Sequence, residues 1–130
     1  MDQQRDAATA GLPVPPPGDC VVTQHWVDRV AVVAASGDVD MLSAPALEKA
    51  IRAALGKEPA ALVVDFTAVD FLGSAGMGVL VAVHDQITPD TGFCVVADGP
   101  ATSRPLKLVG IADIIAVYST LDEALAALAA

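Results

Sequence analysis

Val69-Asp70-Phe71-Leu72-Gly73-Ser74-Ala75-Gly76-Met77-Gly78-Val79-Leu80 sets three glycines around one serine where an apolar strand gives way to a helix. Val69 to Leu72 lead into the turn. Met77, Leu80, Val81, His84 and Ile87 then recur at i, i+3, i+4, i+7 spacing, which predicts a helix with that stripe toward the core. Upstream, Ala60 to Phe66 is a continuous apolar run closed by Asp65 and Thr67, the pattern of a strand covered on both faces. Downstream, Thr88-Pro89-Asp90-Thr91-Gly92 breaks the helix, and Phe93 to Ala97 form another apolar run ending at Asp98-Gly99-Pro100. Strand, helix, strand in this order predicts a right-handed parallel crossover.

Working outward toward the N-terminus, Cys20 to Val27 and Val30 to Asp40 are two β-branched runs separated by Asp28-Arg29, a hairpin pattern without a glycine in its turn. Ser43, with Pro45 close behind, marks a helix start; Leu47, Ala50, Ile51, Ala54 and Leu55 follow at helical spacing until Gly56. Toward the C-terminus, Thr102 or Ser103 begins a short third helix with Pro105 in its first turn and Gly110 at its end. Ile114 to Tyr118 then read as a short strand. Thr120-Leu121-Asp122-Glu123 matches the Ser/Thr-x-x-Glu capping box of a final helix whose apolar stripe is Leu121, Leu125 and Leu128. The sum is an α/β fold: a mixed sheet of about five strands with about four helices packed on it.

A chain of 130 residues has room for one domain with its own core. Its 54% hydrophobic content comes mainly from Ala, Val and Leu, so the core is expected to be aliphatic. The formal charge of −9 reflects 16 acidic against 7 basic residues, and no stretch gathers Lys or Arg into a patch that could release phosphate counterions. Direct nucleic-acid binding is therefore excluded. Asp, Ser or Gly interrupt every apolar run before it could span a bilayer, which argues against membrane insertion. Met1 to Asp19 are polar and then Pro-rich (Pro13, Pro15, Pro16, Pro17), without the charged-then-apolar order of a secretory signal; residues 1–19 read as a disordered tail on a cytoplasmic protein, and residues 20–130 as its domain. Cys20 and Cys94 are too few and too far apart for a disulfide framework or a four-ligand zinc site.

No enzymatic constellation emerges. A hydrolase elbow needs G-x-S-x-G, but Leu72 stands where its first glycine belongs and no His-plus-acid pair accompanies Ser74. Gly73, Gly76 and Gly78 reverse the spacing of a dinucleotide fingerprint, and no lysine follows as a phosphate-binding loop requires. A metal would have to rely on His25 and His84, which fall on a strand and a helix with no further soft ligand beside them. No cofactor is implied. From spacing alone Ser74 caps the second helix, and Gly76 and Gly78 allow tight helix-on-sheet packing. The same position also suits an anion, because the first turn of a helix directs unbonded N–H groups and a positive dipole end outward.

Two motifs together carry a resemblance that covers about residues 20–130. Gly37-Asp38-Val39-Asp40 resembles the Gly-Glu-Leu-Asp of the STAS domain family, and Phe71-Leu72-Gly73-Ser74-Ala75-Gly76-Met77-Gly78 resembles its Phe-Met-Asp-Ser-Ser-Gly-Leu-Gly. Gly110-Ile111 is similar to the family's Gly-Leu before the last strand. The resemblance is to the bacterial anti-sigma factor antagonist branch, and it implies a binding protein rather than an enzyme. In that branch the serine aligned with Ser74 is phosphorylated by the partner, an anti-sigma factor that is also an ATP-dependent serine kinase, and a phosphatase reverses it. Only the unmodified form binds the anti-sigma factor and so frees a sigma factor. The implied contact surface comprises Asp38, Asp40, Gly73, Ser74, Ala75, Gly76 and Met77. Gly73 stands in place of the usual Asp and Ala75 in place of the usual Ser/Thr, which leaves constitutive binding and a different kinase both open. Two other readings stand beside this one: a STAS accessory subunit of a membrane transport or lipid-trafficking complex, and a nucleotide sensor using the glycine-rich turn.

Overall fold

The computed structural model describes residues 20–129; the Pro-rich tail expected over residues 1–19 lies outside them. Strand β1 (Val21–Val27) and strand β2 (Val30–Val39) form the expected antiparallel hairpin, with Val27 opposite Val30. The turn needs no glycine because Asp28 itself takes the left-handed conformation (φ 53°), which Asp tolerates better than most residues. Helix α1 (Ala44–Leu55) then carries the chain back so that strand β3 (Ala61–Leu72) lies parallel to β2. Helix α2 (Ser74–Gln86) leads to strand β4 (Gly92–Val96), and helix α3 (Ser103–Leu108) to strand β5 (Ala116–Tyr118), both parallel additions. Helix α4 (Leu121–Ala129) ends the described chain. The sheet order is β1-β2-β3-β4-β5, which agrees with the mixed α/β fold read from the sequence.

Each sheet face has its own core. Val33, Leu62, Val64 and Phe66 meet Leu47, Ile51, Leu80 and Leu106 on the face covered by the first three helices. Val32, Val63, Cys94 and Val96 meet Ala124 of α4 on the other. Ala61 to Val64 are consequently all buried, as expected for a strand sandwiched between helical layers. Each fully buried Val or Leu contributes roughly 1.5–3 kcal/mol of transfer free energy.

Four expectations change. The apolar run at Ala60 to Phe66 and the segment Val69 to Leu72 are one strand of 12 residues, not two pieces. Its polar middle stays in the ladder because Asp65 accepts the Thr67 N–H and because β2 shifts register beside it, between Ala34 and Ser36 and again between Gly37 and Asp38. Helix α2 buries Gly76, Val79, Leu80 and Val83; of the expected stripe Met77, Leu80, Val81, His84 and Ile87, only Leu80 is fully buried. This helix is apolar almost all the way round, so periodicity could not choose its inner face, and close fit at Gly76 did. The last strand, expected over Ile114 to Tyr118, is limited to Ala116–Tyr118, because Ile114 caps the 3-10 turn Ile111–Asp113 that precedes it. The α4 start is half a capping box: Thr120 Oγ1 accepts the Glu123 N–H at 3.1 Å, while Glu123 Oε1 accepts from Ser119 rather than Thr120.

Candidate functional site

Strands β2 and β3 end side by side, and their C-terminal ends bring the two motifs together. Asp38 is paired with Phe71 and Val39 with Leu72, and the Gly73 N–H donates to the Val39 carbonyl at 2.8 Å. Asp40 therefore leaves the sheet beside the turn that starts α2. Gly73 occupies the helix cap in extended backbone (φ −86°, ψ 175°), so the cap carries no side chain and Ser74 is the first helical residue. Ser74 is exposed. The spacing-based reading of Ser74 as the cap is thus displaced by one residue, because the chain turns at the glycine.

The four residues following β2 form a knot of hydrogen bonds. Asp40 Oδ1 accepts from the N–H of Leu42 at 3.0 Å and of Ser43 at 3.1 Å. The Ser43 hydroxyl accepts the Asp40 N–H at 2.8 Å, and its own proton has Asp40 Oδ1 at 3.1 Å and the Asp38 carbonyl at 3.0 Å within reach. Ser43 sits at the cap position of α1 as expected, but its hydroxyl bonds back to this loop and not to the helix. Donation from the Ser43 backbone, then from its hydroxyl, holds the Asp40 carboxyl below the usual carboxylate range. Asp40 is therefore ionised at neutral pH, the form that accepts these hydrogen bonds.

The glycines divide by environment. A Cβ on Gly76 would lie 2.5 Å from Val39 Cγ1 and 2.8 Å from Leu72 Cδ1, so Gly76 faces the sheet and supports the site from beneath. A Cβ on Gly73 would lie 3.1 Å from Cε2 of Phe71, whose ring covers that glycine. Around Gly78 there is open space. Ala75 and Met77 are half-buried, Met77 against the core. Three large apolar side chains at this edge reach solvent: Met41, Leu42 and Phe71, at 76%, 88% and 52% exposure. Sequence reasoning passed over them. The available signal was Met41-Leu42 itself, two large apolar residues in a turn where no strand or helix period calls for them.

Chemically, the arrangement offers an exposed hydroxyl at a helix N-terminus, flanked by acidic and apolar side chains. A cavity lined in part by Arg29, Glu58, Pro59, Gln86 and Thr88 sits at the opposite ends of β2 and β3 and shares no residue with the Ser74 turn. Among the described residues no three His, Cys, Asp or Glu side chains converge as metal ligands, and no helix is long and apolar enough to cross a membrane.

Comparison with known proteins bears on the domain as a whole. The family model of the STAS domain matches residues 23–124. The chain is 40% identical over 109 residues to the anti-sigma-F factor antagonist RsfB of Mycobacterium tuberculosis, covering 84% of this chain and 89% of that one. A crystal structure of an anti-sigma factor antagonist from Mycobacterium paratuberculosis is similar with a TM-score of 0.86 and 44% identity, over 90% of this chain and all of that one. The anti-sigma factor antagonist SpoIIAA in its unphosphorylated form shares the fold at 17% identity, with a TM-score of 0.68 over 81% of this chain and 93% of that chain.

Proposed function

Because this chain belongs to the STAS domain family, we propose that it is an anti-sigma factor antagonist: a cytoplasmic, non-catalytic protein that binds an anti-sigma factor and thereby releases a sigma factor. The 40% identity to the anti-sigma-F factor antagonist along most of both chains supports this partner class. One observation carries the mechanism, the exposure of Ser74 in the first turn of α2 beside the Asp40 loop. The contact surface is the end of β2 with Asp38 and Asp40, together with Gly73, Ser74, Ala75 and Met77, held up by the inward Gly76.

Phosphorylation of Ser74, by an anti-sigma factor acting as an ATP-dependent serine kinase and reversed by a phosphatase, is the control. A phosphate adds roughly 1.5–2 negative charges to a chain already at −9. Within the protein that charge is tolerable, since the unbonded N–H groups and dipole of the α2 N-terminus face it. Against a docked partner it is not, because the charge would have to shed water in the middle of a fitted surface. Binding is lost by local electrostatics and without refolding.

Titration calorimetry with the purified anti-sigma factor tests this reading. Wild type and Ser74→Ala bind alike, and Ser74→Glu binds at least about tenfold more weakly, the loss expected from about 1.4 kcal/mol of misplaced charge. Equal binding by wild type and Ser74→Glu would remove the switch. Mass spectrometry of the protein after incubation with the partner and ATP places the phosphate on Ser74.

A further inference from the structure

We infer that Met41, Leu42 and Phe71 are the apolar anchors by which this chain grips its anti-sigma partner, and that the partner meets them with an apolar pocket rimmed by Lys or Arg. This deepens the function proposed above and rests on it. Phe71 and Met41 lie beside the two neighbours of Ser74, and Leu42 follows Met41 in the same loop. Phe71 lies against Gly73, the residue before Ser74. Met41 lines a shallow apolar groove between α1 and α2 with Ala75, the residue after Ser74, and with Ala44, Pro45, Gly78 and Val79. Leu42 is the most exposed large apolar residue of the described chain at 88%.

These side chains are held outward by construction. The hydrogen bonds from Leu42 and Ser43 to the Asp40 carboxylate fix the backbone that presents Met41 and Leu42, so little ordering entropy remains to be lost on docking. Gly73 leaves room for Phe71 at the same turn. A Cβ there would lie 3.1 Å from the ring edge, so the ring would have to give by a few tenths of an ångström. In this chain a bare glycine beside Ser74 leaves the place to an aromatic face.

The polar surroundings define the partner's chemistry. Asp38 and Asp40 flank the apolar group, and the chain as a whole is acidic at −9, so a complementary surface is basic at its rim and apolar at its centre. Tight protein interfaces have that layout, with most of the affinity in a few large anchors. It also explains why one phosphate suffices as a switch. Ser74 sits among groups that must become dry, where an added charge has no water to return to.

The test compares affinities for the purified anti-sigma factor. Met41→Ala and Leu42→Ala truncate largely exposed side chains, so their thermal unfolding stays at the wild-type midpoint, and Phe71→Ala, whose ring is half covered, is compared at a temperature where it is fully folded. At least two of the three are expected to weaken binding about tenfold or more, the size of an interface hot spot. The weakening persists at 0.5 M salt, where exposed charge contacts are screened. Leu108→Ala, which truncates a side chain 75% exposed on α3, serves as the control and binds like wild type. Fewer than two weakened variants, or equal loss in Leu108→Ala, overturns the inference. If wild type binds and Ser74→Glu does not, such a result leaves the proposed function standing; if wild type fails to bind, both fall.

Discussion

Gly76 of α2 lies against Val39 of β2 so closely that a methyl group at position 76 would come within 2.5 Å of Val39 Cγ1. Val39 is fully buried and its carbonyl also receives the Gly73 N–H, so one residue of β2 fixes both the depth of the helix and the turn that begins it. The expected consequence is an asymmetry between two glycines only two positions apart. Gly76→Ala overpacks the junction and costs about 1–3 kcal/mol. Gly78→Ala meets nothing within 4 Å and gains about 0.5–1 kcal/mol from reduced backbone freedom in the unfolded chain. Urea unfolding of the two variants checks this; equal effects would mean that the helix does not depend on the contact.

The Asp40–Ser43 knot predicts an acid-sensitive loop. Hydrogen bonds lower the folded pKa of Asp40 relative to its unfolded value of about 3.9. A group depressed in this way contributes stability above the unfolded value and loses it as pH falls through the folded one. The contribution of the Asp40 carboxylate is therefore present across the neutral range and lost only in acid. Carbon NMR of the Asp40 carboxyl should show its midpoint below about 3.9, and Ser43→Ala should move that midpoint upward. The same substitution leaves the Asp40 N–H without its acceptor and costs about 1–2 kcal/mol in unfolding experiments.

Cys94 supplies a prediction in alkali. Burial beneath α4 pushes its thiol up to about 11. Its contribution is fully present below the unfolded thiol value, about 8.5, and is lost as pH rises from there through the folded value. Stability measured from pH 8 to 10.5 should decline, and Cys94→Ala should flatten the part due to this thiol. Burial chiefly raises the Cys20 thiol; the nearby Ser43 hydroxyl partly offsets this and the Asp40 charge adds to it. At pH 7 a thiol reagent should label Cys20 slowly and Cys94 only on unfolding.

Much of the fold was legible in the chain. Alternation and apolar runs located all five strands and four helices, and the turn residues marked their ends, because both signals act over a few neighbouring positions. The two motifs were legible for the same reason. Orientation was harder to read. Met77, Val81, His84 and Ile87 fit a helical stripe as well as Gly76, Val79 and Val83 do, and only Val39 and Leu72 across the junction exclude a side chain at position 76. Likewise Gly76 belonged in sequence to the contact motif, yet in the fold it is the floor beneath it.

By itself the sequence determined that a serine follows a glycine at a strand-to-helix turn and that an acidic motif closes an earlier strand. The tertiary structure decided that these two segments share one edge, that Ser74 opens to solvent, that Phe71 lies against Gly73 before it and that Met41 shares a groove with Ala75 after it. The physical reason is that helix and turn propensities are local properties of the chain. Exposure and neighbourhood depend on the parallel register of β2 and β3, which joins residues more than 30 positions apart.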